Sequence, residues 1–311
     1  MHLLIPFAAP ASEGGRQALA ALALPHLAAL LVRLAEVQRE AGDEFSLSTP
    51  HERALAQALG WHGGDGGLPW AARQARADGI EPGAQAWGLL TPAHWHLGTD
   101  QVSLLDPAEL RLDEATSHSL FDAVSELLTS DGFTLHYGAA LRWYVAHESL
   151  AGLATASLDR VVGRNVDAWL GSDPAARRLR RLQSEVQMLL HTHPLNAARL
   201  AAGLLPVNSF WLSGCGVAQP EAGPAPQVDE RLRAPALADD GMAWAQAWQQ
   251  LDAGPLAQAL ALIRNRRGHD LRLTLCGERA WATFAPVSVS WMRRLRRRWS
   301  APAWLAILAS L

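Results

Sequence analysis

The chain reads as an α/β protein in which a mixed sheet is packed between helices. Two patterns point there. Segments with a helical apolar period alternate with short strand-like runs along the whole length, as expected when sheet and helix layers share a core. The runs Phe133 to Tyr137 and Leu141 to Ala146 alternate around Gly138 as a hairpin, so antiparallel neighbours enter the sheet.

The elements follow in order. Met1 to Phe7 is apolar but has no basic lead-in and is broken by Pro6, so it reads as a first buried strand and not as a signal peptide. Ala11 to Gly15 reads as a loop. From Leu24-Pro25 onward, Leu27, Leu30, Leu31 and Leu34 form one apolar helical stripe. Thr49 caps a helix to Leu59, with Pro50 at its first position and Glu52 completing a capping box. A glycine loop, 63–67, precedes a short helix from Leu68 to Ala72. Ala86 to Thr91 and Trp95 to Leu105 read as strands, and Leu112 to Leu128 as a helix. A cap at Ser172 or Asp173, followed by Pro174, opens a long helix to His191, striped by Leu179, Leu182, Val186 and Leu189. Val207 to Leu212 reads as a strand closed by Ser213-Gly214-Cys215-Gly216. Four prolines without periodicity make 217–240 a flexible loop. Helices from Gly241 to Leu251 and Pro255 to Asn265, a strand from Asp270 to Cys276 and a helical tail complete the chain. The domain reading is a main α/β domain over 1–216, the loop at 217–240, and a C-terminal block, 241–311, on the same core.

Composition removes several mechanisms. All 27 Lys+Arg residues are arginine. Schiff-base catalysis, a lysine base and the Walker-type phosphate loop are therefore excluded. A net charge of −3 argues against a general nucleic-acid binder. No apolar stretch is long enough to span a membrane, and two distant cysteines, Cys215 and Cys276, match no metal or redox spacing, which together suggest a reduced, cytoplasmic setting.

Candidate chemistry concentrates between Asp159 and Gly216. Gln183 and Gln187 share a helix face, and Arg181 and Glu185 form an i,i+4 pair. His191, His193, Asn196, Arg199, Asn208 and Ser213 follow. This set suits a small polar or phosphorylated ligand, with Arg199 as the anion contact. Equally, His193 and Asn196 can cap a helix end and Asn208 can satisfy backbone. His94-Trp95-His96 and His191-Thr192-His193 have the spacing that, in extended chain, puts two imidazoles on one face, and such a pair ligates zinc when other donors join it. The glycine loop offers backbone N–H groups to an anion, or serves only as a turn. Asp159 and Asp167 are acid/base candidates, or ion-pair partners of Arg160 and Arg164. Between Trp291 and Trp299, five arginines suit an anionic surface, or a docked helix with arginines toward water.

The stretch from Arg181 through His193-Pro194-Leu195-Asn196, Arg199 and Gly203 to Val207-Asn208-Ser209-Phe210-Trp211-Leu212-Ser213-Gly214-Cys215-Gly216 resembles proteobacterial regulatory proteins of the RpfE type. The opening strand, Pro50-His51-Glu52-Arg53, Leu68 to Ala72, Thr91-Pro92 and Leu273 to Gly277 resemble the same family. His193 to Asn196, Arg199, Gly203, Asn208 and Gly214 to Gly216 are also similar to a segment of archaeal-type cofactor-independent phosphoglycerate mutases. That likeness implies an alkaline-phosphatase-like core, here reduced, and two divalent metals held by Asp and His beside a Ser or Thr that takes the phosphoryl group. The sequence departs from the pattern: Pro6-Phe7 stands where an Asp-Gly is expected, and no Asp-x-x-x-His follows Gly216. The expectation is a non-catalytic regulatory or ligand-binding protein without a cofactor. The alternatives are a divalent-metal-dependent mutase or phosphotransferase, and an interaction protein using the basic tail. The oligomeric state is left open.

Overall fold

The computed structural model describes residues 1–10, 12–171, 174–265, 267–287 and 304–311. Its strands are β1 (His2–Ile5), β2 (Ala35–Ala41), β3 (Ala86–Ala93), β4 (Trp95–Leu97), β5 (Val102–Leu104), β6 (Thr134–Ala139), β7 (Arg142–Ala146), β8 (Ser209–Val217), β9 (Gln227–Val228), β10 (Arg272–Cys276) and β11 (Ala280–Ala285). The helices are α1 (Glu13–Ala21), α2 (Pro25–Arg33), α3 (Pro50–Leu59), α4 (Trp70–Ala77), α5 (Glu114–Ser130), α6 (Leu158–Val161), α7 (Pro174–His191), α8 (Pro194–Ala201), α9 (Arg233–Leu237), α10 (Gly241–Leu251), α11 (Ala257–Arg264) and α12 (Trp304–Ala309). The expectation of a mixed sheet flanked by helices holds.

Two compact units share the chain. One comprises 1–44, 49–60 and 221–311, and the other 45–48 and 61–220. The element-by-element reading of the sequence put 1–216 in one domain; the opening strand pairs instead with residues 272–275.

In the first unit the sheet order is β2-β11-β10-β1-β9. β1 runs parallel to β10 and β9, whereas β11 runs antiparallel to β10 and β2. Alternation along β1 sends side chains to opposite faces. Leu3 and Ile5 join the core built with α1, α2, α10 and α11, while Leu4 packs with Ala54 of α3, Cys276 and Trp281. Buried on both faces, β1 reads as a continuous apolar run. The capping box of α3 is present in both halves, Thr49 Oγ1 accepting from Glu52 N–H and the Glu52 carboxylate accepting from Thr49 N–H.

The second unit has an antiparallel sheet ordered β6-β7-β3-β8. One face meets α5 and α7 through Leu120, Val124, Leu182 and Val186; the other meets Ala71, Ala72 and Ala75 of α4 through Trp87 and Tyr144. Alanines and Gly214 allow α4 and β8 to approach closely. Gly214 has φ +64°, and a Cβ there would lie 2.9 Å from Ala71 N. A side chain would be both strained and obstructed.

Several elements differ from expectation. The loop expected at 11–15 gives way to α1, which Ser12 caps by accepting from Gly15 N–H. The run from Trp95 to Leu105 is the β4–β5 hairpin, turned where Gly98 N–H donates to Gln101 O. The strand expected over 207–212 runs from Ser209 to Val217, through the glycines taken as its end. Within 217–240 lie β9 and α9. The helix expected over 255–265 begins with a π-helical turn, Asp252–Leu256, before α11. The expected caps Ser172 and Asp173 and the arginines of 293–298 lie outside the described residues.

Candidate functional site

The polar residues between α7 and β8 come together in the second unit, where they bond to strand, helix-end and loop backbone and to one another's neighbours. Gln183, 7% exposed, donates from Nε2 to Phe210 O at 2.7 Å; Gln187 donates to Ser209 Oγ at 3.1 Å. Both reach from α7 onto β8, the i,i+4 pair spanning consecutive strand residues. Asn196, in the first turn of α8, donates from Nδ2 to Leu190 O and Val207 O and accepts at Oδ1 from Val207 N–H. All three contacts are buried, where an unsatisfied backbone group is costly.

Arg199, 5% exposed, donates to the carbonyls of Leu205 and Leu110. Burial draws its pKa below the ordinary arginine value against the opposing pull of Asp113. Its planar guanidinium acts here as a spacer that satisfies two loop carbonyls. Asn208 exchanges two bonds with the backbone of Trp95, accepting from N–H at 2.7 Å and donating to C=O at 2.9 Å.

The remaining candidates stand apart in role. His193 is the N-cap of α8, its Nδ1 accepting from Leu195 N–H. Glu185 lies 3.8 Å from Arg181, as an exposed helix pair. Ser213 is buried within β8 opposite Leu89. The carboxylate of Asp65 accepts from Leu47 and Ser48 N–H, so the glycine loop serves a neighbouring turn. Asp159 lies in the first turn of α6, and Asp167 in the 3-10 turn Val166–Trp169. Among the described residues, no three His, Cys, Asp or Glu side chains form a group able to hold a metal ion. The donor set therefore does not fit the two-metal centre that the mutase resemblance implies.

In open parallel sheets, ligands sit outside the carboxyl ends of the strands. In the first unit that position follows β1. Phe7 has φ +54°, and its carbonyl accepts from Trp244 Nε1 at 3.0 Å. The ring lies 5.4 Å from His51, whose Nε2 is 3.1 Å from Thr49 Oγ1. Ala8 N–H donates to Cys276 O. The strand end is thus bounded by an aromatic ring, backbone bonds and a buried carboxylate, that of Asp229, which follows β9, donates its N–H to Leu4 O and pairs with Arg231 at 3.0 Å. Sequence reading noted Phe7 but missed Trp244 and His51 as its neighbours, since they lie far along the chain.

At the opposite ends of β1 and β10 is a cleft of about 610 Å³ that His2, Gln227, Asp270 and Arg272 help to line. His2 bonds Thr274 Oγ1 at 2.8 Å, and burial, assisted by Arg272, lowers its pKa to about 4. The imidazole is thereby held neutral near pH 7.

No family model matches the chain. A curated relative, the probable 2,3-bisphosphoglycerate-independent phosphoglycerate mutase of Geobacter sulfurreducens (strain ATCC 51573 / DSM 12127 / PCA), is 27% identical over 108 residues. The aligned stretch spans 34% of this chain and 27% of that protein. Among solved structures, the cofactor-independent phosphoglycerate mutase from Thermoplasma acidophilum DSM 1728 is 15% identical, with a TM-score of 0.38 and coverage of 93% and 90% of the two chains. The PH0037 protein from Pyrococcus horikoshii is 12% identical, with a TM-score of 0.46 and coverage of 93% and 88%. The chain is thus distantly similar in sequence to a cofactor-independent phosphoglycerate mutase.

Proposed function

We propose that the protein is a non-catalytic regulatory protein on a phosphoglycerate-mutase-like scaffold, of the kind found in the RpfE-type regulatory proteins, and that it acts without a resident catalytic metal. The observation that carries this reading is the closed carboxyl end of β1. Pro6-Phe7 stands in the place of the expected Asp-Gly, the Phe7 ring against His51 and the Phe7 carbonyl held by Trp244. Two-metal phosphoryl transfer needs anionic ligands that bring the ions to the attacking and leaving oxygens. The ring supplies none, and the buried carboxylate at this strand end, Asp229, is paired with Arg231.

The polar cluster supports the same reading. Gln183, Asn196, Arg199 and Asn208 spend their donors on backbone carbonyls, so they brace α7, α8 and the loops around them. A ligand taking these donors would have to break buried bonds, at a cost of about 1–3 kcal/mol for each group left unsatisfied. We assign them to the scaffold.

The test is a coupled phosphoglycerate mutase assay together with hydrolysis of an aryl phosphate, both with and without Mn²⁺. The expected outcome is no turnover above buffer under any condition. Metal-stimulated turnover that co-purifies with the chain and survives repurification would overturn the reading in favour of the mutase.

A further inference from the structure

The pair His94 and His96 is absorbed neither by the scaffold nor by the proposed function. Their ring centroids lie 6.5 Å apart with a tilt of 38°. His94 Nδ1 lies 2.8 Å from Pro206 O. A carbonyl oxygen can only accept, so Nδ1 carries the proton and Nε2 holds the lone pair in the neutral ring. That is the arrangement found in metal-ligating histidines, whose second nitrogen donates to a backbone carbonyl and so fixes tautomer and ring orientation.

The backbone between the two rings is fixed as well. Asn208 holds both the N–H and the C=O of Trp95, and His94 O accepts from Leu105 N–H. His96 sits opposite Ser103 in the β4–β5 hairpin. Two imidazoles bound to one ion at about 2.1 Å have centroids roughly 5–6.5 Å apart, from tetrahedral to linear geometry. The observed separation lies at the wide end of that range, and His96 is exposed, so its side-chain torsions are free to close the gap.

We propose that His94 and His96 form a two-imidazole chelate for a divalent transition ion of borderline softness, with water in the remaining positions. Imidazole favours Cu²⁺, Ni²⁺ and Zn²⁺ over Mg²⁺ or Mn²⁺, and the Irving–Williams order makes Cu²⁺ the tightest. The site is independent of the two-metal centre implied by the mutase resemblance and needs no phosphoryl chemistry. Asn208 acts as a positioning residue, holding the peptide that carries both ligands.

The test titrates the full chain with CuCl₂, NiCl₂ and ZnCl₂ by calorimetry in a non-coordinating buffer. Wild type is expected to take one ion per chain at its tightest site, in the order Cu²⁺ before Ni²⁺ and Zn²⁺. Loss of an outer-shell partner costs about 10–100-fold in affinity, and loss of a ligand costs no less, so H94Q and H96Q should each weaken that site at least about tenfold. H118Q, which removes the exposed His118 and Asp122 pair, serves as the control and should change nothing. Because His96 is exposed, H96Q tests the site even if H94Q disturbs the fold. Binding by H96Q equal to wild type, binding lost in H118Q, or no binding by wild type would each overturn the proposal.

Discussion

Asn196 and Val207 exchange two hydrogen bonds in opposite directions, the side-chain amide donating to Val207 O at 2.7 Å and accepting from Val207 N–H at 2.9 Å. An amide side chain has the same donor and acceptor pair as a peptide group, so Asn196 stands in for a missing strand neighbour. Asn208 treats Trp95 in the same way.

Replacing Asn196 with alanine leaves Val207 N–H, Val207 O and Leu190 O buried with fewer partners. Asn196→Ala should destabilise the second unit by about 2–4 kcal/mol. Chemical denaturation measures it, and Asn196→Asp, which keeps the acceptor but loses the donor, should also fall below wild type.

Acid should weaken the first unit through His2. Burial depresses its folded pKa to about 4, below the ordinary value near 6.5. The unfolded chain therefore binds the proton first, and the stability this group contributes is complete above about pH 6.5 and declines as pH falls toward 4. His2→Gln should flatten the stability profile in that window, as read from melting curves at stepped pH.

Asp78 titrates lower. Arg142 donates to it through both Nε and Nη2 at 2.9 Å, and Tyr144 Oη donates at 2.6 Å. These contacts hold its carboxyl below the ordinary carboxylate value, the Arg142 bond foremost, and burial opposes them. The corresponding stability is present above about pH 3.9 and is lost as pH falls through the lower folded value. Asp78→Asn should thus cost stability at neutral pH, with the gap to wild type closing only in strong acid.

Both cysteines should be inert in the native protein. Cys215 and Cys276 are fully buried, and burial pushes the Cys215 thiol up to about 12 and Cys276 well above its ordinary value. Thiolates are the reactive species, so a disulfide reagent should titrate no thiol before unfolding and two after it. Fast reaction under native conditions would refute this.

Where local chemistry decides the structure, the sequence was readable. Thr49, Pro50 and Glu52 announce the start of α3 because all the partners lie within one turn. The stripe from Leu27 to Leu31 announces α2 for the same reason. β2 was not readable: Glu36, Gln38, Arg39 and Glu40 give it an exposed, charged pattern, and its bonding comes from β11 at the far end of the chain. The candidate site was legible as a concentration of polar residues, but not in its direction. The amides of Gln183 and Asn196 would look the same in sequence whether they faced a ligand or the carbonyls of Phe210 and Val207. Only the fold brings those carbonyls within reach.

The parallel register of β1 with β10 places His2 opposite Arg272 and Ile5 opposite Leu275. At 5–20 residues per second, a ribosome needs roughly 15–55 s to travel between the two strands. Residues 61–220 form a nearly self-contained stretch that can close during that interval. β1 gains β9 as a neighbour first, at 227–228, and β10 only afterwards; until then Leu3, Leu4 and Ile5 present an unpaired edge. The strand's shelter therefore comes from segments more than two hundred residues away, β9 and β10, and a chain cut before residue 227 would leave Leu3, Leu4 and Ile5 without either strand neighbour.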